Sequence, residues 1–223
     1  GRDRISGGEG DDVVFGEAGD DEIIGGTGGD DLQGGGGDDI VIGDEGLIEY
    51  STEGVLELRR VIAENPASGA ADAISGGEGD NVLMGGAGDD GITSGSGADI
   101  IFGDHGEVVY DEGPAVSPVF TGPEDGNGDD VISAGGGNDL VFGGAGNDAL
   151  FGEEEEDVLY GMDGDDSIDG AAGDDRLSGG AGDDVLRGGD GDDTISGEAG
   201  TDTIYGGAGD DSLSGGEGDD LVY

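Results

Sequence analysis

Aspartate returns every nine residues along this chain, in an unbroken run from Asp130 through Asp139, Asp148, Asp157, Asp166, Asp175, Asp184, Asp193, Asp202 and Asp211 to Asp220. Two residues before each stands a glycine, except at Glu155. Glycines let a loop turn its main-chain carbonyls toward one point, and a carboxylate just beyond them adds negative charge. A donor set made only of oxygen is what a hard cation takes. One loop supplies about half of the six to eight oxygens such an ion wants, so a second loop must stack on the first.

The elements that would stack these loops are written in the same spacing. The repeat reads G-G-x-G-x-D-x-U-x, with U aliphatic, and Gly179-Gly180-Ala181-Gly182-Asp183-Asp184-Val185-Leu186-Arg187 is a typical copy. Four copies run from Gly7 to Ile42, three from Gly76 to Phe102 and eleven from Asp125 to Tyr223. Position six is Asp in every copy except at Asn81, and position eight is always aliphatic, from Val14 to Val222. Positions seven to nine predict a short strand with only position eight turned inward. Two nonapeptides then make one coil, and coils stack about 4.8 Å apart as parallel strands. The fold class expected is all-β: a right-handed parallel β-roll, a solenoid with a core one residue wide on each side. So thin a core needs another stabilising partner.

Composition says what that partner is. The chain holds 58 glycines, 57 acidic residues and six basic ones, all arginine, for a net charge of −51. Such charge disfavours compaction unless something neutralises it. Cysteine is absent, so neither disulfides nor thiolate sites can staple the fold. Hard cations remain. Nucleic acid is excluded as a partner because there is no basic patch. No apolar run reaches the length of a membrane span, so membrane insertion is not expected, and no signal peptide is visible.

The chain divides into a first roll block over residues 1–46, an excursion over 47–71, a second block over 72–106, an excursion over 107–124 and a third block over 125–223. The stretch Val55–Ile62, after the turn-like Ser51–Gly54, predicts a β-hairpin projecting from the roll. A short helix over Val55–Glu64 is the alternative. Three prolines (Pro114, Pro118, Pro123) make the second excursion an extended flap. Both open alike, Gly43-Asp44-Glu45-Gly46-Leu47-Ile48-Glu49-Tyr50 against Gly103-Asp104-His105-Gly106-Glu107-Val108-Val109-Tyr110. Asp72 resumes the pattern at position six, as if the first excursion were inserted into one split repeat. Neither end carries a cap of the kind a solenoid needs, so the sequence reads as a slice of a longer chain with flanking repeats or domains.

The nonapeptide resembles the RTX (repeats-in-toxin) family, the β-roll proteins of secreted bacterial proteases, lipases, toxins and adhesins, over about three quarters of the chain. The resemblance implies calcium, held by carbonyls at positions one to four and by the Asp at position six. Carried over, the carboxylate ligands are Asp12, Asp21, Asp30, Asp39, Asp72, Asp90, Asp99 and the run from Asp130 to Asp220. Asn81 stands in the same column and should weaken its site. Gly8, Gly10, Gly26, Gly28, Gly180, Gly182, Gly207 and Gly209 would offer carbonyls. Pairing each repeat with the next but one within a block gives about a dozen calcium ions. In the copy Gly152-Glu153-Glu154-Glu155-Glu156-Asp157 glycine is lost at positions two and four, so its loop should be strained. The Asp residues of position five, such as Asp11 and Asp183, read as outward-pointing solvating groups.

Catalytic signatures are missing. His105 is the only histidine, which rules out a two-histidine zinc site and a serine triad within this sequence. His105 reads as a surface-loop residue. No carboxylate pair stands apart as an acid/base couple, so no enzyme activity is expected. Phe15, Phe102, Phe142, Phe151, Tyr160 and Tyr205 at position nine face outward, either as packing on the outer face or as a stacking stripe for carbohydrate. The leading functional reading is a calcium-dependent structural module of a large secreted or cell-surface protein, such as an adhesin, surface-layer or filament component. The alternative is the C-terminal folding and secretion module of an exported enzyme or toxin. A calcium buffer is the weakest reading. An unfolded calcium-free chain suits export through a narrow channel, as in type I secretion, and the excursions are the candidate contacts for a protein or surface ligand.

Overall fold

Aliphatic side chains at position eight build the interior, and each nonapeptide adds one strand to it. The computed structural model describes residues 1–50, 58–63, 69–110, 116–119 and 128–223. The first sheet stacks Arg4–Glu9, Glu22–Thr27, Ile40–Ile42, Val82–Met84, Ile100–Phe102, Leu140–Ala145, Val158–Asp163, Arg176–Ala181, Thr194–Ala199 and Ser212–Glu217. The second stacks Val13–Ala18, Asp31–Gly36, Ala73–Glu78, Gly91–Ser96, Val131–Gly136, Ala149–Glu154, Ser167–Ala172, Val185–Asp190, Thr203–Ala208 and Leu221–Val222. All pairs in both sheets are parallel and alternate along the chain, so two nonapeptides make one coil, as Val185↔Thr203 and Arg176↔Thr194 show. Among the described residues there is no helix.

Between the sheets the position-eight side chains form one continuous core, from Val14 and Ile23 to Ile195 and Ile204, nearly all without solvent contact. The residues on either side of them face outward, as the period of a strand requires. The β-roll expected from the nonapeptide is the fold found.

The excursions differ from the expectation of separate projecting flaps. Gly46–Tyr50 pairs antiparallel with Leu58–Ala63, and Glu107–Tyr110 pairs antiparallel with Val116–Val119. Leu58–Ala63 and Glu107–Tyr110 also pair with each other, so both excursions merge into one four-stranded sheet. The strand over Leu58–Ala63 displaces the helical alternative there, while Val55–Glu57 and Glu64 lie outside the described residues. Pro118 sits on an edge strand of this sheet, where its missing N–H costs no ladder bond.

This small sheet lies on the outer face of the first sheet. Val61, Ala63 and Val108 bury against Ile40, Ile42, Val82, Met84 and Phe102. Side chains at positions seven and nine, solvent-facing in a bare roll, thus become a second core. Close approach needs glycine at Gly46 and Gly106, where a Cβ would strike the side chains of Ile42 and Phe102. The repeated octapeptide is the sequence trace of this docking. The Phe102 ring continues outward into a stack with Phe142 and Tyr160, centroids 5.0 and 5.2 Å apart. Arg60 ties the small sheet internally through Glu107, and Arg2 and Arg4 hold Glu22 near Tyr50.

Candidate metal centre

Loops on both edges of the roll are shaped by backbone angles that L side chains rarely adopt. Gly8, Gly10, Gly26, Gly28, Gly180, Gly182, Gly207 and Gly209 all have φ between +101° and +149°. These are the glycines of positions two and four. Where the sequence departs from glycine the angle persists: Glu153 has φ 86° and Glu155 has φ 74°. The strain expected of that loop is present. Glu17, Met162, Ala171 and Glu198 share it at position two.

The position-six carboxylates form two columns. On the first edge, where the chain passes from the first sheet to the second, they run Asp12, Asp30, Asp72, Asp90, Asp130, Asp148, Asp166, Asp184, Asp202 and Asp220. On the other edge they run Asp21, Asp39, Asn81, Asp99, Asp139, Asp157, Asp175, Asp193 and Asp211. Each Oδ1 accepts the N–H of the position-six residue one coil earlier: Asp166 N to Asp184 Oδ1 is 2.8 Å, and Asp175 N to Asp193 Oδ1 is 2.9 Å. The first excursion does not break the ladder, since Asp30 N donates to Asp72 Oδ1 across 42 residues at 2.7 Å. The second is spanned in the same way by Asp90 N and Asp130 Oδ1, 40 residues apart at 2.8 Å.

The other oxygen of each carboxylate is the informative one. From Asp12 to Asp202, the Oδ2 atoms of both aspartate columns are buried and have no hydrogen-bond partner. Buried polar atoms are nearly always partnered, so two rows of unpartnered carboxylate oxygens fit the coordination of a cation. Beside each is an open point. A Cβ built on Gly7 would stand 2.6 Å from Asp12 Oδ2 and 2.7 Å from the Gly25 carbonyl oxygen one coil on. On the second edge, a Cβ on Gly16 would stand 2.7 Å from Asp21 Oδ2 and 2.5 Å from Gly34 O. Position-one glycine therefore leaves a cradle between a free carboxylate oxygen and a carbonyl of the next coil.

Electrostatics also favour a cation here. Burial, and then the like charges above and below, push Asp90 and Asp130 up to about 8, although a main-chain N–H partly offsets the rise. Asp72, Asp139, Asp148, Asp157, Asp166 and Asp184 are pushed up to about 7 for the same reasons. No three carboxylate or imidazole groups converge on one point among the described residues. An ion held here would draw most of its oxygens from the main chain, which is the donor set calcium accepts. The residues fit that ion. Bound between coils, calcium would neutralise the columns and tie each loop to the next.

Several sequence readings need adjustment. Asn81 keeps the ladder, accepting from Asp39 N at 2.9 Å, but its Nδ2 donates to Gly79 O at 3.0 Å and so occupies a position-four carbonyl. Asp211 and Asp220 accept from Asp193 N and Asp202 N, and both are only half-buried. The position-five aspartates are exposed, yet they do more than solvate. Asp165 Oδ1 accepts Asp183 N at 2.8 Å, and Asp174 Oδ1 accepts Asp192 N at 2.8 Å, a ladder pointing opposite to that of position six. His105 is half-buried rather than a surface residue, with its Nε2 unpartnered and its pKa lowered by burial. Sequence reasoning missed Asp44 and Asp104, which are buried at position two of the split repeats.

Stacked Gly-Asp loops on the edges of a parallel roll define a class, the calcium-binding β-solenoids. The family model for the RTX calcium-binding nonapeptide repeat (4 copies) matches residues 1–32, 18–46, 67–106, 124–159, 151–186 and 187–222. This chain belongs to that family. No curated protein matches it.

Proposed function

We propose that this chain is a calcium-dependent structural module of a large secreted or cell-surface protein, an adhesin, surface-layer or filament component. The observation that carries the reading is the pair of buried carboxylate columns with one orphaned oxygen per aspartate from Asp12 to Asp202. A roll so built is stable only where calcium is abundant, and extracellular modules bind it at about 10⁻⁴–10⁻³ M. The position-six aspartates and the carbonyls of positions one to four are the ligands, for about a dozen ions. The reading is non-catalytic: the acidic residues serve the repeat, and His105 is the single histidine of the sequence. The small sheet is the surface offered to a partner, because it alone interrupts the uniform acidic coils.

Following the full-length protein in its source cells tests this. It should be recovered folded at the cell surface or in the medium when calcium is supplied. Recovery of folded protein only from the cytosol would sink the reading.

A further inference from the structure

The two places where the roll is interrupted each carry a carboxylate that the nonapeptide does not call for. Asp44 and Asp104 follow the position-one glycines Gly43 and Gly103, and they are 3% and 2% exposed. Their main chain stays in the roll, with Asp44 N donating to Gly85 O at 3.3 Å and Asp104 N to Gly143 O at 3.2 Å. Beyond them the chain leaves for the small sheet. The side chains remain behind, on the first edge.

There each fills the place of the missing strand end. Asp44 Oδ2 accepts Ala87 N at 2.8 Å, and Asp104 Oδ2 accepts Ala145 N at 2.7 Å. That bond accounts for one oxygen of Asp104. Its Oδ1 is buried with no hydrogen-bond partner, like the Oδ2 of the column beside it. Asp104 raises Asp90, Asp130 and Asp148 through its charge, and Asp44 raises Asp72 and Asp90, so both stand within the first-edge column.

The facing edge of the same coils is depleted. Asn81 lacks the charge. Ser94 and Ala134 carry a Cβ at position one, where Gly7 and Gly16 leave a cradle, and both are buried. Three successive loops on one edge thus depart from the repeat, one by losing its carboxylate and two by carrying a Cβ at position one, while the opposite edge gains two carboxylates.

We propose that Asp104, with Asp44 at the equivalent place, is a calcium ligand outside the nonapeptide set, and that the sites at the two split loops are the tightest in the roll. The proposal rests on the calcium reading above. Charge count at a calcium site sets its affinity, and an orphaned carboxylate oxygen added to a cradle of carbonyls raises that count. Each split loop is thereby pinned where the small sheet departs, so these ions bind first and fix the small sheet to the roll.

Calcium titration of the full chain, in competition with a chromophoric chelator, tests this. Asp104→Asn and Asp44→Asn keep an acceptor for Ala145 and Ala87 but remove the charge. The expected result is that the tightest class of ions weakens about tenfold, while the remaining sites and the β signal at saturating calcium are unchanged. Isotherms of both variants that superimpose on the unmodified chain would reduce these residues to caps and overturn the proposal. Should Asp104→Asn fail to fold even in saturating calcium, Asp104→Glu decides: recovery of the tight class supports the ligand role, and failure to recover it overturns it. An unmodified chain that binds no calcium at all would instead sink the parent reading.

Discussion

Replacing Asp184 by Asn should change stability in opposite directions with and without calcium. Asp184 is 1% exposed, its Oδ1 accepts Asp166 N at 2.8 Å, and its Oδ2 has no partner. Burial, with the charges of Asp166 and Asp202 above and below, pushes its pKa from 3.8 to about 7. A rise of that size corresponds to at most ~4 kcal/mol of unfavourable charge in the calcium-free roll at alkaline pH. The amide keeps the ladder bond and removes that charge, but unless its Nδ2 finds the Gly182 carbonyl, as that of Asn81 finds Gly79 O, its desolvation costs ~1–3 kcal/mol. A net gain of at most ~1–3 kcal/mol in chelator is the balance of these two effects. In calcium the variant loses a charged ligand, and a site saturated a hundredfold contributes ~2.7 kcal/mol. Thermal melts of both proteins, in saturating calcium and in chelator with an osmolyte to hold folded chain, read the two signs. A loss of stability of similar size under both conditions would refute the reasoning, because Asp184 would then be only a hydrogen-bonding element.

Three further outcomes follow from the same geometry. Glu155→Gly relieves a left-handed backbone angle and should stabilise the calcium-loaded roll by ~1 kcal/mol, read as a higher Tm; a lower Tm would show that Glu155 earns its place by other contacts. Phe102→Ala removes a fully buried ring beneath the small sheet and should cost ~3–5 kcal/mol there, so limited proteolysis should cut the two excursions while the roll keeps its β signal. Acid should favour the calcium-free fold. The folded state raises Asp90 and Asp130 to about 8 against an unfolded value near 3.9, so it binds more protons between those limits and loses stability as pH rises through them. A chelated chain should therefore gain β signal, measured by circular dichroism, as pH falls from about 8 toward 4; a β signal that declines over that interval would contradict it.

The roll was legible because its information is local and repeated. A single aliphatic residue such as Leu186 between two outward-facing neighbours specifies a strand, and its recurrence specifies the stacking. The carboxylate columns were legible for the same reason, since Asp166 and Asp184 can meet only if one coil is two nonapeptides long. What escaped depends on contacts between segments that share no period. The pairing of Val61 with Val108 joins the two excursions across distant sequence, and its only trace was the octapeptide they share. Asp44 and Asp104 were hidden because the repeat breaks off just after them, leaving an aspartate in a glycine column with no continuation to align. Their duplication in that octapeptide was the available signal. The position-five ladder was missed because exposure and hydrogen bonding are compatible, and composition reports only the first.

The central claim is that calcium holds this roll together, and circular dichroism of the full chain at neutral pH tests it most directly. Metal that binds only where two loops are stacked contributes its binding energy to folding. The β signal present in millimolar calcium should collapse in excess chelator, return when calcium is restored, and fail to return with magnesium, which demands tighter octahedral geometry. A β signal that stays unchanged in excess chelator would contradict the account, because the orphaned aspartate oxygens would then need no ion.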